Sequence, residues 1–119
     1  MVLVDTSVWV SHFRDTAPRL RALLKNGEVI CHPFIVGELA CGNLQNRKEI
    51  LALLQALPSA EVAEHDEVMK FIEQHLLMRR GLGYIDVHLL ASALLSGCLF
   101  WTKDKRLQET AAILHIGHL

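Results

Sequence analysis

Residues 1–9 read MVLVDTSVW, a short apolar run that ends in an acid, and the rest of the chain can be organised around it. The aliphatic residues 2–4 have the pattern of a strand that is covered on both faces in a parallel sheet. Thr6 and Ser7 can cap a helix that begins directly afterwards. Asp5 is therefore predicted at the carboxyl end of a buried strand, where open α/β sheets place their ligands. The alternative is that Asp5 only helps to cap that helix.

Short apolar runs alternate with longer helical segments along the rest of the chain. Strands are predicted at 2–4, 28–31, 60–63 and 98–101, with a further edge strand at 113–116. Helices are predicted at about 6–14, 18–25, 33–42, 47–57, 65–79, from 84 to the Ser96-Gly97 stop, and 105–112. This alternation favours a three-layer α/β/α domain with a mostly parallel central sheet, in one unit spanning 1–119.

Length and composition are typical of a globular protein with a single core. The chain has 119 residues, of which 51% are hydrophobic, and no low-complexity tract, so disorder is not expected. The longest apolar stretch, 87–101, is interrupted and falls short of a membrane span. No leader-like segment opens the sequence, and we expect a cytoplasmic protein with no membrane contact. Cys31, Cys41 and Cys98 lack disulfide or zinc spacing and are predicted to be small buried hydrophobic residues.

Three later acids occupy positions that can meet Asp5. Asp104 follows the strand predicted at 98–101, so the carboxyl ends of two parallel strands bring Asp5 and Asp104 to one sheet edge. Glu38 is predicted on the third helix and Asp86 in the first turn of the sixth, and both can lean over that edge. With these four acids set apart, nine acids remain against twelve Lys and Arg, about +3, which permits a modest preference for polyanions.

Four carboxylates in one pocket repel one another, and either raised pKa values or bound cations resolve the repulsion. No Arg lies within the four sequence motifs that carry these acids, so we predict a cation site. All-oxygen ligands suit Mg²⁺ or Mn²⁺, and a pair of such ions can activate water and stabilise the leaving oxygen in phosphodiester cleavage. The structural alternatives are a helix N-cap for Asp104 and surface carboxylates for Glu38 and Asp86.

Basic residues flank two of the acids. Arg79 and Arg80 precede Asp86 and are predicted to end the fifth helix, while Lys103, Lys105 and Arg106 surround Asp104. They can bind RNA phosphates beside the acids. The alternatives are pairing with the helix dipole for the first two and ordinary solvated charge for the others.

Two further groups of residues allow more than one interpretation. Trp9 and Phe13, with Leu20 and Leu23 on the next helix, can form a groove for a partner helix or belong to the core. The seven histidines are scattered, and none is predicted to be catalytic, although His88 lies two residues from Asp86.

The four acids lie in sequence motifs that resemble a known family. The motifs are Val-Asp-Thr-Ser-Val-Trp-Val at 4–10, Gly-Glu-Leu at 37–39, Tyr-Ile-Asp-Val-His-Leu-Leu-Ala at 84–91 and Leu-Phe-Trp-Thr-Lys-Asp at 99–104. In that order, and over essentially the whole chain, they resemble a PIN domain, specifically the VapC-type toxins of bacterial toxin–antitoxin pairs.

The resemblance implies a Mg²⁺- or Mn²⁺-dependent endoribonuclease. Its acidic metal site would be Asp5, Glu38, Asp86 and Asp104, with Asp5 and Asp86 as central ligands. Thr6, Ser7 and Thr102 match the family's hydroxyl positions and would orient carboxylates or metal-bound waters. RNA contacts are assigned to Arg79, Arg80, Lys103 and Lys105. The resemblance also implies a homodimer and a co-expressed antitoxin whose tail lies across the toxin, often with a basic side chain that reaches the acids.

Three rival functions remain open from the sequence. One is a PIN nuclease of RNA processing or decay that has no antitoxin. Another is a receiver-like signalling domain, although that class needs paired acids after the first strand, where this chain has only Asp5. The third is a non-catalytic domain that keeps the acids to bind a partner's Arg.

Overall fold

Three short parallel strands form the centre of the protein. A computed structural model describes residues 1–118, and β1 (Val2–Val4) lies between β2 (Val29–Ile30) and β3 (Leu99–Trp101). Both neighbours are parallel to β1, with Leu3 facing Ile30 on one side and Phe100 on the other. All three carboxyl ends therefore lie at the same edge of the sheet, as the sequence predicts.

Helices surround this sheet and confirm the predicted α/β class. They are α1 (Thr6–Arg14), α2 (Pro18–Lys25), α3 (Pro33–Ala40), α4 (Arg47–Ala56), α5 (His65–Gln74), α6 (Tyr84–Leu95) and α7 (Lys105–Ile113). Seven consecutive residues of α6, 87–93, are buried, so this helix runs through the core instead of along the surface. Among the helices of residues 1–118, none has the length and apolar character needed to cross a membrane.

The predicted strands at 60–63 and 113–116 are wrong in position. Each sheet edge gains one isolated bridge instead, Cys31 to Ser59 and Phe100 to Gly117. Beyond Ser59, the backbone N–H groups of Glu61 and Ala63 donate to the hydroxyls of Ser96 and Ser92. Serine side chains of α6 and of its C-cap therefore replace a neighbouring strand. At the other edge, α7 continues to Ile113, and only residues 116–118 run beside β3.

The fifth helix ends earlier than its apolar pattern predicts. α5 stops at Gln74, and Leu76 takes a left-handed conformation with φ 52°. The N–H of Leu77 then donates to the carbonyl of Ile72 over 3.0 Å, which closes a Schellman turn and buries Leu77. Arg79 therefore lies in the connecting segment 75–83, and the helix-dipole interpretation does not apply to it or its neighbour Arg80.

Cysteine burial differs from the prediction at one position. Cys31 and Cys98 are buried in the core, whereas Cys41 at the end of α3 is exposed; all three are free thiols. The difference arises because α3 ends at Ala40, so Cys41 lies beyond the helix face that packs on the sheet.

At two glycines, Gly37 and Gly97, the effect of backbone conformation on stability can be measured without a change in packing. Gly97 has φ +63° and Gly37 lies inside α3, and an added Cβ would meet nothing within 4 Å at either position. We expect Gly97→Ala to lower the free energy of unfolding by about 1 kcal/mol, because alanine is strained in the left-handed region. Gly37→Ala should raise it by about 0.5–1 kcal/mol, because it removes freedom from the unfolded chain. Urea unfolding measures both, and equal effects of the two changes would contradict this account.

Candidate active site

Asp5 is a buried carboxylate at the end of the central strand. Its side chain is 7% exposed, and its N–H donates to the carbonyl of Trp101 over 2.9 Å, which locks β1 against β3. Asp5 Oδ2 accepts from Thr102 Oγ1 over 2.7 Å and from Ser7 Oγ over 3.1 Å. The two hydroxyls therefore hold one carboxylate oxygen in place, at the sheet edge predicted from the sequence.

The Asp5 charge is not neutralised by the surrounding protein. Burial raises the pKa of Asp5 above its ordinary value, the hydrogen bonds from Thr102 and Ser7 oppose that rise, and the nearby charge of Asp86 adds to it. None of the groups that shift this pKa is a cation. A buried carboxylate beside a second acid, with no cation among the groups of residues 1–118 that shift its pKa, is the electrostatic condition that a bound cation relieves.

Glu38 is connected to the carboxyl edge of the sheet by a hydrogen bond from Thr6. Glu38 lies in α3, is exposed, and accepts a hydrogen bond of 2.8 Å from Thr6 Oγ1 at its Oε1. Thr6 is the first residue of α1 and directly follows Asp5. The Thr6 hydroxyl therefore holds the carboxylate of Glu38, and this acid lies in α3, the helix that follows β2.

Asp86 and Asp104 each cap a helix. Asp86 Oδ2 accepts from the N–H of Gly83 over 3.0 Å, and Asp104 Oδ1 accepts from the N–H of Leu107 over 3.0 Å. Asp104 also donates its own N–H to Thr102 Oγ1 over 3.1 Å. The N-cap interpretation of Asp104 is thus correct, and it leaves Oδ2 of that residue available for a second role.

Separate contacts relate Glu38, Asp86 and Asp104 to residues at the carboxyl edge, and the four acids do not form a closed ligand shell. Within residues 1–118, no three side chains of His, Cys, Asp or Glu are grouped closely enough to hold a metal ion. Asp5 and Asp86 interact electrostatically, while Glu38 and Asp104 are occupied by Thr6 and by the α7 backbone. The donor chemistry nevertheless fits Mg²⁺ or Mn²⁺, because these ions prefer oxygen ligands and take only one or two carboxylates directly.

Basic residues lie on the β3 side of the acids. Lys103 donates its N–H to Ser7 Oγ over 3.0 Å and its ammonium to Ser11 Oγ over 2.8 Å, so it bridges back onto α1. Arg106 in α7 lies over Gly81, where an added Cβ would come within 2.5 Å of its Nη1. The sequence placed Arg106 among the cations beside Asp104 that can bind phosphate, and the structure adds its contact with Gly81. The φ of +74° at Gly81 and its missing side chain allow this contact.

A buried polar network joins the helices that carry Glu38 and Asp86. His32 caps α3 by accepting from the N–H of Phe34 at Nδ1, over 3.0 Å, so its Nε2–H donates to Ser92 Oγ, also over 3.0 Å. Ser92 in turn lies 3.5 Å from His88 Nδ1. His88 is therefore a core residue, and the sequence did not single out His32 because its partner Ser92 is 60 residues away.

A sequence model described as "PIN domain" matches residues 2–113 of the chain. The chain belongs to the PIN-domain family. This PIN domain is 45% identical to "Ribonuclease VapC32" of Mycobacterium tuberculosis, in strains CDC 1551 and H37Rv, over 113 residues that cover 94% of this chain and 91% of the relative. The resemblance to VapC-type toxins is thereby confirmed.

A solved structure supports the same fold. The crystal structure of PAE2754 from Pyrobaculum aerophilum matches this PIN domain with a TM-score of 0.61 at 19% identity, covering 92% of this chain and 78% of the other. Together with the family match, the parallel sheet with single acids at the ends of β1 and β3 decides against the receiver-like alternative.

The buried His32 predicts an acid-sensitive stability. Burial, with a smaller effect of the nearby His88, lowers the pKa of His32 to about 4, whereas an unfolded histidine titrates near 6.5. The stabilisation is complete above pH 6.5 and is lost as the pH falls toward 4, because only the unfolded chain gains a proton in that window. Between pH 7 and pH 5, the titration of His32 alone should lower the free energy of unfolding by about 2 kcal/mol.

A His32→Asn variant tests this, because the Asn oxygen can still accept from the N–H of Phe34. Its urea-unfolding free energy should fall about 2 kcal/mol less than that of the parent between pH 7 and pH 5. His12 and His118, whose pKa values are also lowered by burial, keep a smaller slope of the same sign in both proteins. The exposed, non-titrating Gln74→Ala serves as the control and should keep the parent slope; an unchanged slope in His32→Asn would refute the assignment.

Proposed function

We propose that this PIN domain is a Mg²⁺- or Mn²⁺-dependent endoribonuclease, the toxin of a VapBC-type toxin–antitoxin pair, which hydrolyses RNA phosphodiester bonds. The observation that carries the proposal is the buried, unneutralised Asp5 beside Asp86 at the carboxyl edge of the sheet. The 45% identity to a protein named as a VapC ribonuclease supports the same activity for this chain. The cytoplasm is the compartment in which such an enzyme would meet RNA.

The proposed mechanism assigns each group of residues a separate task. Asp5 and Asp86 would hold the cation, and Glu38 and Asp104 would complete the site. When bound, the ion supplies a Lewis acid that activates water and stabilises the leaving oxygen of the scissile phosphate. Thr102 and Ser7 keep the Asp5 carboxylate in a fixed orientation, so less reorganisation is needed when the ion binds.

Binding of the RNA backbone is assigned to the basic residues on the β3 side. Lys103 is already tethered at Ser11, and Lys105 is exposed in the first turn of α7. Arg79 and Arg80 are exposed in the segment 75–83, which Arg106 contacts at Gly81. These cations would neutralise phosphates next to the acids, where an anionic substrate is otherwise repelled.

An antitoxin is the proposed protein partner, and an apolar groove supports it. The groove has a volume of about 310 Å³ between α1, α2 and α4, and its lining includes Trp9, Phe13, Leu24, Leu53 and Leu57. The sequence allowed Leu20 and Leu23 either in such a groove or in the core, and the structure buries Leu20 fully in the core. An amphipathic helix could insert its apolar face there, while a homodimer stays a prediction of the family resemblance.

Cleavage of RNA by the antitoxin-free protein tests the proposed activity. We expect a mixed RNA pool to be cut in Mg²⁺ or Mn²⁺, no cleavage in EDTA, and a loss of at least about 100-fold in Asp86→Asn, because one central carboxylate is removed. Asp66→Asn is the matched control, since Asp66 is also an acid in the first turn of a helix and has no assigned role in the site.

Two outcomes would separate the nuclease from the binding-module alternative. Intact RNA across several substrates and both metals, with Mn²⁺ binding equal in the parent and in Asp86→Asn, would favour a non-catalytic domain. Equal cleavage by Asp86→Asn and Asp66→Asn would show that Asp86 is not part of the site.

The hydroxyl of Thr102 gives a second test. Thr102→Val removes the hydrogen bond to Asp5, so the pKa of Asp5 should rise and the acid limb of the pH–rate profile should move to higher pH. Mn²⁺ affinity should fall about 10- to 100-fold. Thr102→Ser keeps the hydroxyl and should restore both properties. A Val variant with the parent pH profile would show that Thr102 acts only in packing.

A further inference from the structure

A second cleft adjoins the acids on the side opposite the basic residues. It has a volume of about 490 Å³ and lies between α1, α3 and the connection from α3 to α4. Thr6 and Glu38 form part of its wall, so the cleft is continuous with the candidate active site. Pockets of this size accept ligands as large as a nucleotide.

We propose that this cleft is a base-recognition subsite, which holds a nucleotide next to the scissile phosphate of a single-stranded RNA. The inference rests on the proposed ribonuclease activity and adds to it the part of the molecule that selects the cleavage sequence. The residues assigned to this subsite are Phe13, Arg14, Asn43, Gln45 and Asn46.

The sheet topology places the cleft on the path of an RNA strand. In the order β2-β1-β3, Asp5 follows the central strand, α3 follows β2 on one side, and α7 follows β3 on the other. A strand held by the cations at α7, with its phosphate at Asp5, therefore continues toward α3 and Glu38. The next nucleotide along the strand reaches the cleft.

The lining has the chemistry that reads an unpaired base. Asn43, Gln45 and Asn46 are exposed in or next to the α3–α4 connection, and each amide offers both donors and an acceptor to a base edge. Phe13 provides an aromatic surface and is held by its stack on Trp9, with ring centroids 5.8 Å apart. Arg14 places a positive charge in the same cleft for an adjacent phosphate.

Polar side chains in a mixed lining distinguish this cleft, which also contains apolar residues such as Leu39 and Leu44, from the apolar groove between α1, α2 and α4. That groove is lined almost entirely by apolar side chains, which suit the apolar face of a helix. Amide side chains and an Arg beside a carboxylate instead match a nucleotide, whose base edge and phosphate both need polar partners. The observations therefore favour RNA over a protein segment as the occupant.

Sequencing the cleavage products of a randomised RNA pool tests the subsite. The parent should prefer particular bases at one position beside the cut. Asn43→Ala and Gln45→Ala should each weaken that preference about 10-fold or more, because a lost base-edge contact has an effect of this size. Val10→Trp, at an exposed position on the cleft wall, should abolish it by filling the space. Gln74→Ala, at an exposed position on α5, is the control and should keep the parent pattern.

An unchanged preference in all three cleft variants would overturn the subsite while leaving the ribonuclease activity intact.

A second measurement applies if the parent cuts no RNA. A single-stranded oligoribonucleotide containing 4-thiouridine is photo-crosslinked to the parent in EDTA, and the linked peptides are identified by mass spectrometry. Crosslinks to residues 43–46 or to Phe13 would support the subsite without any turnover. The subsite would be refuted if no crosslinks formed, or if they lay only on other surfaces. It would also be refuted if a co-expressed antitoxin protected the cleft but RNA did not.

Discussion

Burial of the Asp5 carboxylate at the end of the central strand is the constraint on which the site depends. A charged group at this depth must be hydrogen-bonded or balanced by a cation, and its hydrogen bonds come from the Thr102 and Ser7 hydroxyls and the Thr6 backbone. Thr102 follows β3 and Ser7 lies in α1, so the same carboxylate joins two elements that are far apart in sequence. The structure thus orients the acid without neutralising it, and the remaining charge is what a divalent ion would balance.

The other acids are placed by helix ends instead of by strands. Glu38 depends on where α3 begins, and His32 determines that point by capping the helix and by its hydrogen bond to Ser92 in α6. Asp86 lies at the other end of α6, where it caps the helix through Gly83. Two of the proposed ligands therefore belong to helices that a buried polar network holds together. Such a network specifies one arrangement of the helices, because an unpaired polar group in the core is costly.

The molecule presents different chemistry on the two sides of its acidic edge. Cations at the start of α7 and in segment 75–83 lie on the β3 side, and the amide-lined cleft lies on the β2 side. A parallel sheet produces this division directly, because each neighbouring strand delivers its own following helix to the same edge. Phosphate binding and base reading can then reside in separate elements, with the reacting phosphate between them.

Local sequence patterns determined much of this protein. The run 2–4 followed by Asp5 predicted the central strand and its terminal acid, and the motifs around Glu38, Asp86 and Asp104 predicted the PIN fold that the family match confirms. Such features depend on neighbours in sequence, and their periodicity and caps can be recognised without tertiary contacts. Only the tertiary structure decided that α5 ends at Gln74, because burial of Leu77 outweighs a continuing helical pattern. It also decided that segment 60–63 bonds to serines of α6, that Arg106 lies over Gly81, and that the α3–α4 connection forms a cleft beside Glu38. Each of these depends on which distant side chains satisfy a backbone group or fill a space, and a single sequence does not specify those partners.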